Sequence, residues 1–288
     1  MLVANVCEIE KLAIINSEIE RKIIENFMPG PLTIVLQKKN IVSDKLTAKK
    51  DTVGVRIPTN KIAQEILNAC KEPLATSSAN LSGKPSPTLG EHVIDDMDGL
   101  IDMIIDGGMV GMGLESTIID VTVTPPMILR PGFITYEMIK EVIGKVDVDK
   151  AIFSRPVDGL KPKAPGMKYR HYAPEADYKI FRGDAGKVAE KIITCANQKS
   201  DSGHKTGIIT VNQHLSLYHE RLNKDIIVVS LGDINRPETI ANMLFKVLRD
   251  FDKADTKFIF GEAFSENNVG WAIMNRLTKA AGYNIIDV

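Results

Sequence analysis

The residues of this chain best suited to chemistry are arginines and hydroxyls placed where short apolar segments begin or end. Arg56 falls inside Asp51-Thr-Val-Gly-Val-Arg-Ile-Pro58, a run otherwise apolar or small. A guanidinium taken out of water is expensive unless it gains a partner, so Arg56 either has one or lies on the solvated face of an edge strand. Pro73 to Thr88 reads Pro-Leu-Ala-Thr-Ser-Ser-Ala-Asn-Leu-Ser-Gly-Lys-Pro-Ser-Pro-Thr, an apolar start that runs straight into hydroxyls. Ser and Asn compete with a strand's ladder for backbone hydrogen bonds. A strand end with small side chains lets N–H groups and hydroxyls approach an anion closely. A Ser/Pro-rich surface loop accounts for the same residues equally well. Further on, Gly107-Gly-Met-Val-Gly-Met-Gly-Leu-Glu-Ser-Thr-Ile-Ile-Asp120 carries Ser116-Thr117 after a glycine-rich turn, and Met127-Ile-Leu-Arg-Pro-Gly132 ends on Arg130. Glycine permits close backbone approach to a ligand, although glycine-rich turns between strands are common.

The elements that must position these residues follow from periodicity and punctuation. Strands are expected over 32–36, 53–57, 74–77, 101–105, 117–121 and 128–130, and helices over 17–27, 61–70 and 135–143, with Ser17, Asn60 and Thr135 as N-caps. Such interleaving predicts an α/β domain on a twisted, mixed sheet over residues 1–146. Proline, glycine and lysine then accumulate, and 147–176 reads as a linker. From 177 to 288 strands and helices alternate regularly, which predicts a small Rossmann-like parallel α/β domain. That stretch has no Gly-x-Gly-x-x-Gly fingerprint, so dinucleotide binding is not implied.

The chain has 288 residues, 44% hydrophobic and 25% charged, as in an ordinary soluble globular protein long enough for two cores. A net charge of −1 removes any global electrostatic drive toward nucleic acid, so any such contact would have to be local or made by a partner. The three cysteines, Cys7, Cys70 and Cys195, are far apart, and the five histidines show no metal-ligand pairing. No apolar run approaches the roughly 20 residues that span a bilayer, and a cytoplasmic protein without membrane attachment is expected.

In their order along the chain, these four segments resemble the threonylcarbamoyl-AMP synthase family, the YrdC-like domain. Phe27-Met-Pro-Gly-Pro-Leu-Thr-Ile-Val-Leu36 is similar to that family's Trp-Pro-Gly-Pro-Leu-Thr element, and Lys163-Ala-Pro-Gly-Met-Lys-Tyr-Arg-His-Tyr-Ala-Pro174 is similar to the linker motif of its longer, two-domain members. The resemblance covers essentially the whole chain. It implies a reaction that joins L-threonine, bicarbonate and ATP into threonylcarbamoyl-AMP and pyrophosphate. The product would go to the downstream transferase machinery of tRNA threonylcarbamoyladenosine modification, with tRNA itself met indirectly or weakly. Two anions must be held together in such a reaction, which favours cations and N–H donors over a protein nucleophile; no catalytic residue in that sense is expected.

Carried over by position, the resemblance assigns Arg56, Thr76 and Ser116 to L-threonine, and Thr52, Ser78, Ser86, Arg130 and Tyr172 to ATP. Tyr172, with Arg170 and His171 beside it, would fold over the nucleotide as a lid, or simply pack the linker onto either domain. Mg²⁺ is expected on the phosphates, with no dedicated protein ligand; Glu115 is a weak candidate. The family's Lys-x-Arg motif precedes the region matched here, and the Lys-x-Arg of this chain, Lys168-Tyr169-Arg170, belongs to the linker motif. The resemblance therefore implies an N-terminally truncated member, weak or inactive on its own. A catalytically impaired fragment that binds nucleotide or RNA is the alternative from another class.

Overall fold

Residues 1–153 and 172–288 are described in this computed structural model. Contacts divide them into two units, Met1–Ser77 with 115–153, and Ser78–Leu114 with 172–288. These are not the sequential stretches 1–146, 147–176 and 177–288, because residues 78–114 pack with the second half of the chain.

The first unit holds a five-stranded sheet built from β1 (Leu32–Gln37), β2 (Thr52–Val55), β3 (Thr117–Asp120), β4 (Met127–Arg130) and β5 (Asp147–Val148), in the order β2-β1-β3-β4-β5. The pairs β1/β2 and β3/β4 are antiparallel and β1/β3 and β4/β5 parallel, the mixed sheet that interleaved strands and helices predict. Alternation along the strands leaves one face closed, with Leu32, Ile34, Leu36, Val53, Val55, Ile119 and Ile128 buried. The neighbouring positions Thr33, Val35, Thr52 and Gly54 are only half-buried. The sheet is extended past Arg56 by single bridges, Leu2 to Arg56 and Leu2 to Leu74.

The expected helices form at Glu18–Phe27, Lys61–Cys70 and Tyr136–Ile143. Ser17 closes a capping box with Glu20, Asn60 accepts from the Ala63 N–H, and Thr135 accepts from Met138.

The second unit is built on β6 (Asp177–Arg182), β7 (Thr206–Thr210), β8 (Ile227–Ser230), β9 (Phe258–Glu262) and β10 (Ile285–Asp287), all parallel in the order β10-β6-β9-β7-β8. Adjacent strands β7 and β9 end on Thr210 and Glu262, and the buried Glu262 carboxylate accepts from Thr210 Oγ1 (2.6 Å) and Tyr218 (2.7 Å) and shares a hydrogen bond with His214 Nδ1 (2.5 Å). Burial, and then the Glu262 charge, push the Tyr218 phenol up, so it stays a donor.

Segment 78–114 contributes a helix at Gly90–Met97, whose Asp96 is fully buried between Arg249 Nη2 (2.6 Å) and Lys84 Nζ (3.0 Å). Burial pushes the Asp96 carboxyl up, but hydrogen bonds and charge from Arg249 and Lys84 more than reverse this and hold it below the usual carboxylate range.

Several sequence expectations are corrected. Residues 101–105 form no strand; Ile101, Met103 and Ile105 are exposed, and no sheet edge pairs with them. The strand expected over 74–77 reduces to the bridge at Leu74, since Pro73 and the following hydroxyls support no ladder. The expected linker begins later than 147, because Asp147 donates to Pro126 O and Asp149 to Ile128 O, making β5 an edge of the first sheet. A helix expected over 214–222 shortens to Leu215–Tyr218, behind a 3-10 turn over Asn212–His214. Helices at Val6–Leu12 and Asp44–Thr47, capped by Asn5 and Ser43, and the one at Gly90–Met97 were not expected. No helix among the described residues is long and apolar enough to cross a membrane.

Two outcomes follow. Tyr218→Phe deprives a buried carboxylate of one donor and lowers the stability of the full chain by about 1–3 kcal/mol, read as a lower urea midpoint. The folded Asp96 pKa is depressed, so its contribution is complete above the ordinary value of about 4 and is lost as pH falls through and below it. Amide exchange in 78–114, corrected for the intrinsic effect of pH, rises over that window before exchange in β6, β7 and β9.

Candidate active site

The half-open face of the first sheet carries the site, and strand register builds it. Thr33 pairs with Ile118, and Ile118 with Arg130, so three neighbouring strands place these residues in one row on one face. Ile34 pairs with Val55, which brings Arg56 level with Thr33 on the next strand. A Cβ added at Gly54 would meet Thr33 Cγ2 at 3.2 Å, so position 54, and with it Arg56 two residues on, shares that face. Row and face together bring Arg56 and Arg130 to the same end of the sheet.

Ser116, just before β3, is the hub of this row. Its buried hydroxyl lies 2.7 Å from Thr33 Oγ1 and accepts from Arg130 Nη2 at 3.2 Å, while its carbonyl accepts from Arg130 Nε at 3.0 Å. Thr117 donates to Ile134 O (2.7 Å), and a Cβ at Gly132 would meet Thr117 N at 2.5 Å, so the turn after Arg130 must be glycine to lie this close. Arg56 has no such partner: its half-buried guanidinium makes no hydrogen bond or ion pair among the described residues. Burial, and then the positive charge of Arg130, hold it below its ordinary pKa. Arg56 and Arg130 thus bring two guanidiniums to one end of the row, a concentration of positive charge that an anion would complement.

The other expected residues are placed as follows. Thr76 is exposed, two residues beyond Leu74, and Leu74 joins Arg56 through the bridges at Leu2. Thr52 shares the face of Arg56 but lies four residues up β2, about 13 Å at 3.3 Å per residue, opposite Gln37 rather than in the row. Ser78 and Ser86 belong to the second unit, Ser78 exposed and Ser86 buried. Beside them the Asn80 amide nitrogen donates to Leu81 O and Lys84 O, and its buried Oδ1 has no partner among the described residues. Tyr172 is buried with its ring 5.1 Å from that of Phe245. Arg170 and His171, and the Lys168-Tyr169-Arg170 triplet, lie outside the described residues. Glu115 is half-buried, and no cluster of three or more His, Cys, Asp or Glu that could hold a metal occurs among the described residues.

Sequence reasoning missed Thr33 as a site residue. The signal was present, since Thr33 closes the Pro-Gly-Pro-Leu-Thr element, but only the β1/β3 register shows its hydroxyl meeting Ser116.

A mixed α/β sheet with a cationic, hydroxyl-lined end is the candidate active site, and comparison with known proteins gives the class. Residues 1–132 match a family model described as "Telomere recombination", and residues 134–282 match the C-terminal domain model of threonylcarbamoyl-AMP synthase. The chain is 41% identical over 290 residues to a threonylcarbamoyl-AMP synthase of Pyrococcus abyssi, covering 100% of this chain and 82% of the relative. It is 39% identical to the Bacillus subtilis threonylcarbamoyl-AMP synthase, covering 99% and 79%. The crystal structure of P. abyssi Sua5 complexed with L-threonine superposes with a TM-score of 0.91 at 41% identity, covering 100% of this chain and 81% of the other. The chain belongs to the threonylcarbamoyl-AMP synthase family.

Arg56, without a partner among the described residues, sets a direction for mutagenesis. Arg56→Met removes a desolvated charge that faces another guanidinium, so the thermal midpoint in buffer free of carboxylate and phosphate stays level or rises. A clear fall would mean that Arg56 is structural.

Proposed function

We propose that this enzyme is an L-threonylcarbamoyladenylate synthase, a nucleotidyltransferase that uses L-threonine, bicarbonate and ATP. The observation that carries the reading is the unopposed Arg56 guanidinium beside Arg130, with Ser116 and Thr33 between them. A planar fork meets a carboxylate through two parallel hydrogen bonds, so Arg56 grips the threonine carboxylate. Ser116, and Thr76 beyond the Leu74 bridge, meet the remaining polar groups of the amino acid. Its amine attacks the carbon of bicarbonate-derived CO₂ and loses a proton to give a carbamate. A carbamate oxygen then attacks the α-phosphorus of ATP, and pyrophosphate leaves.

Arg130, whose Nε and Nη2 serve Ser116, ties the amino-acid side to the nucleotide side. Thr52, Ser78 and Ser86 contact the nucleotide, with Tyr172 as the cover. The site offers guanidinium and hydroxyl groups rather than clustered carboxylates, so a Mg²⁺ would enter with the ATP phosphates rather than be held by protein carboxylates, and would supply charge neutralisation there. Crowding of two anions is what the cations relieve, and holding both reactants supplies the rest through proximity. The product is an acyl-adenylate whose consumption belongs to a tRNA-modifying transferase.

The test is equilibrium binding of L-threonine and of ATP to the full chain, followed by pyrophosphate release with and without threonine and bicarbonate. Saturable binding of both ligands is expected. Arg56→Lys, which cannot present a fork, weakens threonine about 10- to 100-fold and leaves ATP affinity nearly unchanged. Threonine binding that ignores the Arg56 substitution would overturn the assignment.

A further inference from the structure

Building on the proposed function, we infer that Arg249 is a positioning residue for the nucleotide side, holding the Ser78–Ser86 loop in shape from a helix far along the chain. Arg249 lies on the helix Pro237–Lys253 and is almost completely buried. It spends its fork on two targets in segment 78–114. Nε and Nη2 both donate to Pro85 O, at 3.0 and 2.6 Å, and Nη2 also donates to Asp96 Oδ2 at 2.6 Å.

The loop needs such an anchor because of its own sequence. In Lys84-Pro-Ser-Pro87 two of four residues lack an N–H, so this strip cannot be fixed by a backbone ladder and must be held through its carbonyls and side chains. Pro85 O goes to Arg249. Lys84 Nζ goes to Asp96 Oδ1 at 3.0 Å, the other oxygen of the carboxylate that Arg249 holds. Asp96 thus ties the front of the loop to its anchor. The turn that precedes it is closed by Lys84 N–H on Leu81 O and by the Asn80 amide on Leu81 O and Lys84 O. Behind it, Thr88 N–H donates to His92 Nδ1, and Val110 N–H donates to Thr88 O. Lys253, one helical turn after Arg249, adds exposed pairs to Glu91 (3.5 Å) and Asp95 (3.2 Å).

Every one of these bonds lies inside the second unit. None involves Ser78 or Ser86 directly, yet together they fix the backbone from Asn80 to Thr88, which carries Ser86 and adjoins Ser78. A binding loop that visits its competent shape only a fraction of the time loses apparent affinity by that fraction. This gives helix Pro237–Lys253 a part in the reaction without contact to either substrate.

The experiment compares the full chain with Arg249→Met and Asp96→Asn. It titrates ATP and L-threonine separately, measures the KM for ATP and kcat wherever turnover is detectable, and follows amide exchange by segment. Arg249→Met is expected to raise the ATP dissociation constant roughly tenfold or more, with threonine affinity within about twofold. Faster exchange should be confined to 78–97, while β6, β7 and β9 remain protected. Asp96→Asn, which keeps the shape but drops the charge, is expected to do the same more weakly and covers the case in which Arg249→Met does not fold. Unchanged ATP affinity in a folded variant whose 78–97 amides exchange faster overturns this inference alone. Failure of the unaltered chain to bind ATP overturns the proposed function and the inference with it. Equal loss of both ligands with general deprotection reduces Arg249 to a stability role and likewise overturns it.

Discussion

Two guanidiniums set at one end of one sheet face, one of them desolvated, are the constraint that the first unit has to accommodate. Arg56 and Arg130 come from strands β2 and β4, separated by β1 and β3, and the ladder fixes them at one end of one face. Here Arg130 is held by Ser116, and Arg56 is left desolvated beside it. Backbone hydrogen bonds and the packed opposite face, with Leu32, Ile34, Val55 and Ile119 fully buried, supply the stability that offsets this electrostatic strain. Under the proposed function, a bound carboxylate or phosphate would offset this cost.

The second unit meets a different problem, namely how to hold a loop that cannot hold itself. It buries one carboxylate, Glu262 at the end of β9, with three partners, and a second, Asp96 on helix Gly90–Met97, between two cations. Both are complete networks, the condition under which buried charge specifies a structure rather than weakening it. The Asp96 network fastens residues 78–97 to a helix that follows them by about 150 positions in sequence, the Arg249–Asp96 separation being 153. The family's C-terminal domain, matched over 134–282, therefore contributes to the packing of a segment that lies within the first matched region, 1–132.

Legibility in the sequence followed the range of the interaction. Ser17, Asn60 and Thr135 were readable as caps because a cap bonds a neighbour three residues away. The parallel second sheet was readable because strands and helices alternate there at a regular pitch, although the helix after β7 stopped short at Tyr218. Residues 101–105 misled because the apolar pattern Ile-Asp-Met-Ile-Ile describes a strand only if a sheet edge is present to accept it. Asp147–Val148 misled in the other direction, since two residues carry no periodicity and become a strand only because β4 offers them an edge.

Residue types in order along the chain determined the family, the α/β class and the candidates Arg56, Ser116 and Arg130, because motifs, caps and periodicity are local properties of a polymer. Tertiary structure alone decided that Arg56 meets no acid among the described residues, that Thr33 reaches Ser116, that Thr52 stands out of the row, and that Arg249 clasps Pro85 across 164 positions. Register and long-range closure set each of these, and such relations exist only once strands have paired and helices have docked.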